Sequence, residues 1–194
     1  MKKIILASAS PRRREILKIT GLDFTVCESD YEEDLALALR PRALARFLSL
    51  KKAEAVARRH RDAIIIAADT FIVFRDKLLG KPHTETEALK MLKMLNGRSH
   101  TVITGFTIID SGGNKRSSRS VETKVYFKKL GIEEIKAYVR SKEPLDKAGA
   151  YAIQGLGAVF IEKIEGDFFN VMGLPLCALS EGLKKFGIHV LKKQ

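Results

Sequence analysis

Tryptophan is absent from the 194 residues, and aromatic residues make up only 7%. A nucleic-acid surface built on ring stacking is therefore poorly supplied. Two cysteines occur, Cys27 and Cys177, far apart and outside any CxxC, which excludes a zinc ribbon or a dithiol redox motif. Two buried thiols in a reducing compartment are expected. No apolar run approaches the ~20 residues that span a bilayer. The opening Met1–Ala7 resembles the start of a leader, but Pro11-Arg12-Arg13-Arg14 interrupts it before an apolar region can form. A soluble, cytoplasmic protein is expected. GxxxxGK[ST], GxSxG and HExxH are all missing, and Gly155-Leu156-Gly157 runs on to Phe160 where a dinucleotide fingerprint needs glycine. His60, His83, His100 and His189 have no paired-ligand spacing.

What is present is globular in composition: 45% hydrophobic and 30% charged residues. The length suits a single domain over 1–194. Lys and Arg total 35 against 23 Asp and Glu, a formal net charge of +12. Such a field attracts polyanions, whether nucleic acid, phosphorylated small molecules or anionic lipid, and does not choose among them.

Apolar and amphipathic segments alternate along the chain. Lys3–Ala7 reads as a buried strand. Pro11 starts a helix with a stripe of Ile16, Leu17 and Ile19, stopped by Gly21. Residues 24–26 form a second short strand and 41–59 a long amphipathic helix. Ala63–Ala68 is a central strand ending at Asp69-Thr70. Phe71–Phe74 and Lys77–Leu79 flank Arg75-Asp76 as a hairpin. Thr84-Glu85-Thr86-Glu87 is a capping box. Strands are predicted over 101–109, 121–127, 151–153 and 159–164, and helices over 132–140 and 175–186. This interleaving predicts an α/β fold with a mixed twisted sheet and flanking helices.

Five features can carry chemistry. Ser8-Ala9-Ser10-Pro11-Arg12-Arg13-Arg14 lies between a strand and a helix, where hydroxyls, free N–H groups and guanidinium forks hold phosphate; equally, Ser10 caps the helix and the arginines face solvent. Asp69 follows an apolar strand, a position suited to a general base or a metal ligand, or to an ordinary turn. Glu32, Glu33 and Asp34 form a second acidic group, or a solvated loop. Lys81 projects from the Gly80-Lys81-Pro82 turn. Gln154 offers a donor and an acceptor that suit a base edge, or a strand-end backbone contact. Together they describe a nucleoside triphosphate pocket and favour a metal-dependent nucleotide hydrolase over a nucleic-acid module.

At these residues the chain resembles the Maf family of nucleotide pyrophosphatases. The matching segments are Leu6 to Arg13, Ala68-Asp69-Thr70, Gly80-Lys81-Pro82, Glu143 to Gly157, and Asn170-Val171-Met172-Gly173-Leu174-Pro175. The resemblance implies a fold related to the inosine triphosphate pyrophosphatases (Maf/Ham-type), with two lobes around a cleft. It implies hydrolysis of a nucleoside triphosphate to the monophosphate and pyrophosphate with a divalent cation, Mg²⁺ or Mn²⁺. Asp69 takes the position of the catalytic proton acceptor. Arg12, Thr70 and Gln154 fall at specificity positions. Ser8, Arg13, Lys52 and Lys81 match phosphate positions, and Glu33 and Asp69 metal positions. Residues 150–155 look like the branch acting on dTTP and UTP, with modified pyrimidine triphosphates as further substrates. A 7-methyl-GTP branch with a Ser-Glu-Gly type segment, and a non-enzymatic nucleic-acid or septum-associated role, are the alternatives. With no membrane-spanning run and no recognisable nucleic-acid motif, no membrane and no specific nucleic acid are expected as partners, and a homodimer fits the family. Phe71 departs from the smaller aliphatic residues common after Asp-Thr.

Overall fold

The computed structural model describes residues 2–32, 34 and 37–191. Strands and helices alternate: β1 (Lys3–Leu6), α1 (Pro11–Lys18), β2 (Phe24–Val26), α2 (Pro41–Ala57), β3 (Ala63–Phe74), β4 (Lys77–Leu79), α3 (Glu85–Leu95), β5 (Ser99–Asp110), β6 (Arg116–Phe127), α4 (Ile132–Arg140), β7 (Ile161–Glu165), α5 (Phe168–Met172) and α6 (Leu176–Lys184). Short 3₁₀ turns occupy Glu143–Asp146, Ala148–Ala150 and Gly155–Phe160. Among the described residues, seven strands form one sheet in the order β2-β1-β3-β5-β6-β7, with β4 paired to β3. β1 runs parallel to β2 and β3, whereas β3–β4 and β6–β7 are antiparallel. The expected mixed α/β sheet with flanking helices is what the chain forms.

The chain divides into two compact units, one of Met1–Asp69, Thr104–Val121 and Gly173–Gln194, the other of Thr70–Ile103 and Glu122–Met172. In the first, side-chain alternation sorts each strand into two faces. Ile5, Ala7, Ala63, Ile65 and Ala67 pack with Ala53 and Val56 of α2. α2 runs so close to β5 that a Cβ on Gly105 would meet the Ala45 carbonyl oxygen at 2.0 Å. On β5's opposite face, Gly182 of α6 lies against Ile108 and Phe106. In the second unit, Ile72, Val102, Val125 and Phe127 pack with Leu92 and Leu95 of α3 and Ile135 and Tyr138 of α4. Phe127 makes edge contacts with His100, Tyr151 and Phe160 at centroid distances of 5.1, 4.7 and 6.3 Å.

Several local expectations are corrected. β3 does not stop at Ala68 but continues through Asp69-Thr70 to Phe74. Phe71, buried on this strand, extends the apolar run. Residues 151–153 form no strand, and β7 begins at Ile161 because Val159 sits exposed in a 3₁₀ turn. Ile19 is 62% exposed, since α1 ends at Lys18 and the chain turns away. Cys27 is half-buried and Cys177 exposed, the latter off the buried stripe of α6 formed by Leu179, Gly182 and Leu183.

Candidate active site

The turn from β1 into α1 is built around hydroxyls. Ser10 occupies the N-cap of α1, and its Oγ accepts the Arg13 N–H at 3.5 Å, while Pro11 takes the first helical position. The buried Ser8 Oγ accepts the Ser10 N–H at 3.2 Å and Arg13 Nη1–H at 3.2 Å. Arg13 Nε donates to the Gly173 carbonyl at 2.8 Å. The guanidinium is thus held at two points, by the turn and by the 170–175 segment. Arg12 is half-buried and Arg14 exposed. A helix start with a pinned guanidinium is suited to an anion.

The second cluster joins α2 to β3. Alternation along β3 puts Asp69 on the face of Ala63, Ile65 and Ala67, toward α2. Helical spacing puts Lys52 on the buried stripe of α2 with Ser49, Ala53 and Val56. Lys52 Nζ donates to Asp69 Oδ1. Their side chains are 10% and 5% exposed. Among the described residues, Asp69 is the one buried carboxylate and Lys52 the one buried cation. Burying two charges costs several kcal/mol per ion before their attraction offsets it, and such arrangements concentrate at functional sites.

Three further candidates belong to the second unit. Thr70 is half-buried on β3, directly after Asp69. Lys81 is exposed between Gly80, whose carbonyl accepts the Gly149 N–H at 2.9 Å, and the buried Pro82. Gln154 is exposed and extended, immediately before the 3₁₀ turn Gly155–Phe160. Glu33 lies outside the described residues. The structure therefore brings Ser8 to Arg13 and Lys52 to Asp69.

Two further residues shape these segments. Glu143 accepts hydrogen bonds from three donors in the 138–157 region. Burial pushes its carboxyl up, but the Gly157 and Leu156 N–H groups and the Tyr138 hydroxyl together hold it below its ordinary value. Asn170, fully buried, donates from Nδ2 to the Val102 carbonyl at 3.1 Å and to Thr123 Oγ1 at 3.0 Å, fixing α5 to β5 and β6. Neither role has a periodic signal in the sequence. Asn170 was legible as part of a matching segment and Glu143 as the start of another, but not what they bind.

The first unit, with helices on both faces of its strands, a capped strand–helix turn and a buried acid–lysine pair, has the form of an α/β protein. The family model described as Maf-like protein matches residues 3–186, and the chain belongs to that family. It is similar to the dTTP/UTP pyrophosphatase of Methanosarcina barkeri, 49% identical over 194 residues covering 100% of this chain and 98% of that one. The dTTP/UTP pyrophosphatase of Thermoanaerobacter sp. (strain X514) is 52% identical, over 97% of this chain and 100% of that one. The protein of that name from Methanococcoides burtonii is 50% identical over 98% of each. A chain in the structure of the Staphylococcus aureus Ham1 protein aligns over 65% of this chain and 72% of that one, with TM-score 0.46 and 15% identity, a likeness too partial to build on.

Proposed function

We propose that this protein hydrolyses dTTP and UTP to the nucleoside monophosphate and pyrophosphate. The observation that carries the reading is full-length similarity of 49–52% to proteins named for that activity. The buried Lys52–Asp69 pair supports it chemically. Asp69 is the general base: it takes a proton from the water whose oxygen attacks the α-phosphorus, and the bond to the β-phosphate oxygen breaks as pyrophosphate leaves. Lys52, whose Nζ donates to Asp69 Oδ1, aims the carboxylate. Ser8, Arg13 and Lys81 neutralise the charge that grows on the leaving group, with Lys52 adding its field. Arg12, Thr70 and Gln154 select the base, the Gln154 amide pairing with a pyrimidine edge.

Among the described residues, no three His, Cys, Asp or Glu side chains come together as a metal cage. A single buried carboxylate nonetheless fits Mg²⁺ or Mn²⁺, which is commonly held by one or two carboxylates and completed by substrate phosphates and water. Asp69 would hold such a cation together with Glu33, and when bound it supplies charge neutralisation on the triphosphate. No described helix is long and apolar enough to cross a membrane. A cytoplasmic location, a homodimeric state and action of residues 1–194 as one functional domain belong to the same proposal.

A panel of dTTP, UTP, CTP, ATP, GTP and 7-methyl-GTP, with pyrophosphate detection and with or without EDTA, tests it. Turnover concentrated on dTTP and UTP and stopped by EDTA is expected. Faster turnover of purines or 7-methyl-GTP would overturn the substrate assignment. Salt-sensitive nucleic-acid binding without any turnover would overturn the enzymatic reading itself.

A further inference from the structure

The segment that presents Gln154 has little regular structure of its own. Residues 151–154 belong to no strand or helix, and Gly155 follows with φ of +81°. Such a segment needs side chains to hold it, and one carboxylate does most of this. Glu143 Oε2 accepts the Leu156 N–H at 3.0 Å. Its Oε1 accepts the Gly157 N–H at 3.0 Å and the Tyr138 hydroxyl at 2.9 Å. The same Tyr138 oxygen accepts the Ala152 N–H at 3.2 Å. The backbone is therefore fastened on both sides of Gln154, at 152 and at 156–157, by one Tyr–Glu unit.

The fit is close. A Cβ on Gly155 would lie 2.7 Å from Glu143 Oε2, so the residue after Gln154 is glycine both for its left-handed backbone and for the carboxylate against it. Glu143 is itself fixed: Lys147 Nζ donates to its carbonyl at 2.9 Å, and its N–H donates to Ser141 Oγ at 3.3 Å. Tyr138 packs its ring on Phe160 at 4.6 Å.

We propose that Glu143 is the positioning residue for base selection, its carboxylate holding the 152–157 backbone so that the Gln154 amide meets the pyrimidine edge in one orientation. This rests on the reading of the protein as a pyrimidine triphosphate pyrophosphatase in which Gln154 contacts the base. Glu143 itself touches no substrate and moves no proton. A preorganised amide discriminates bases because the wrong edge leaves a polar group unpaired, whereas a mobile amide adapts to either.

The test compares wild type, Glu143→Gln, Tyr138→Phe and Gln154→Ala on dTTP and dGTP, measuring kcat and KM separately, with amide hydrogen exchange at Leu156 and Gly157. Glu143→Gln keeps the size but turns an NH₂ toward one of the backbone donors. Expected are a KM for dTTP raised about tenfold, the size of one lost charge-assisted hydrogen bond, kcat within about threefold, and a dTTP-over-dGTP preference reduced about tenfold. Exchange at 156–157 should quicken in both Glu143→Gln and Tyr138→Phe. An unchanged preference in both clamp variants, beside a reduced one in Gln154→Ala, overturns the proposal. A fall in kcat with KM and preference unchanged also overturns it. A wild type that does not turn over dTTP, or a Gln154→Ala variant with intact preference, overturns the underlying reading instead. Tyr138→Phe, which removes one oxygen and keeps the ring, carries the test if Glu143→Gln does not fold.

Discussion

Lys52 Nζ donates to Asp69 Oδ1 across the face where α2 covers β3, in a setting that leaves their side chains 10% and 5% exposed. Asp69→Asn removes the proposed proton acceptor while keeping the shape, and kcat for dTTP should fall by about 10²–10⁴ with little change in KM. Pyrophosphate release gives both constants, and retention of full kcat would remove Asp69 from its role. Lys52→Met should be worse for folding, because it removes the ammonium that donates to a buried carboxylate. A loss of about 3–5 kcal/mol in a urea titration is expected.

Arg13 spans Ser8 Oγ and the Gly173 carbonyl with two different nitrogens. A lysine has one donor centre and cannot occupy both positions. Arg13→Lys should lower kcat/KM about tenfold or more, whereas Arg14→Ala, at an exposed position one residue on, should leave it unchanged. Steady-state kinetics on the two variants checks the contrast.

His100 is 3% exposed and its Nε2 lies 2.7 Å from the Tyr151 hydroxyl. Burial lowers its pKa from 6.5 to about 4. Between those values the unfolded chain takes up a proton that the folded protein refuses. Stability from this group is therefore complete above about pH 6.5 and declines as pH falls toward about 4, by up to about 3 kcal/mol. Urea midpoints across pH 4–8 measure it. The decline should flatten in His100→Asn, and an identical slope in that variant would assign the acid sensitivity to other groups.

Gly105 lets α2 approach β5 backbone to backbone, with the site of a Cβ already occupied by the Ala45 carbonyl. Gly105→Ala must push the helix outward and should cost about 3 kcal/mol or more. Because Ser49 Oγ lies 2.9 Å from Thr107 Oγ1 across the same contact, that hydrogen bond should loosen with it. Thermal unfolding checks the loss.

Much of the architecture was legible because local signals agree with the final contacts. Ser10 and Thr84 were readable as caps, and their oxygens do accept from Arg13 and Glu87. The Arg75-Asp76 hairpin lacks Asn-Gly but still takes left-handed φ values of 47° and 63°. β3 was read too short because Asp69-Thr70 breaks its apolar run, although the sheet continues regardless of that polarity. The pairing of Lys52 with Asp69 depends on which face of a helix meets which face of a strand, so Asp69 was legible from its place after an apolar strand, Lys52 only through the family resemblance, and the pair not at all. Glu143 was less legible still. Its partners are backbone N–H groups 13 and 14 residues away, and no periodicity encodes such a contact.

The interleaving of the two units has a consequence for biosynthesis. The unit that starts with β1 also needs Thr104–Val121 and the segment from Gly173 onward, whereas the other is complete at Met172. On the ribosome, the unit begun first is therefore finished last. Arg13 is made 160 residues before the Gly173 whose carbonyl its Nε meets. The turn that carries it thus waits for a segment made much later before that contact can form.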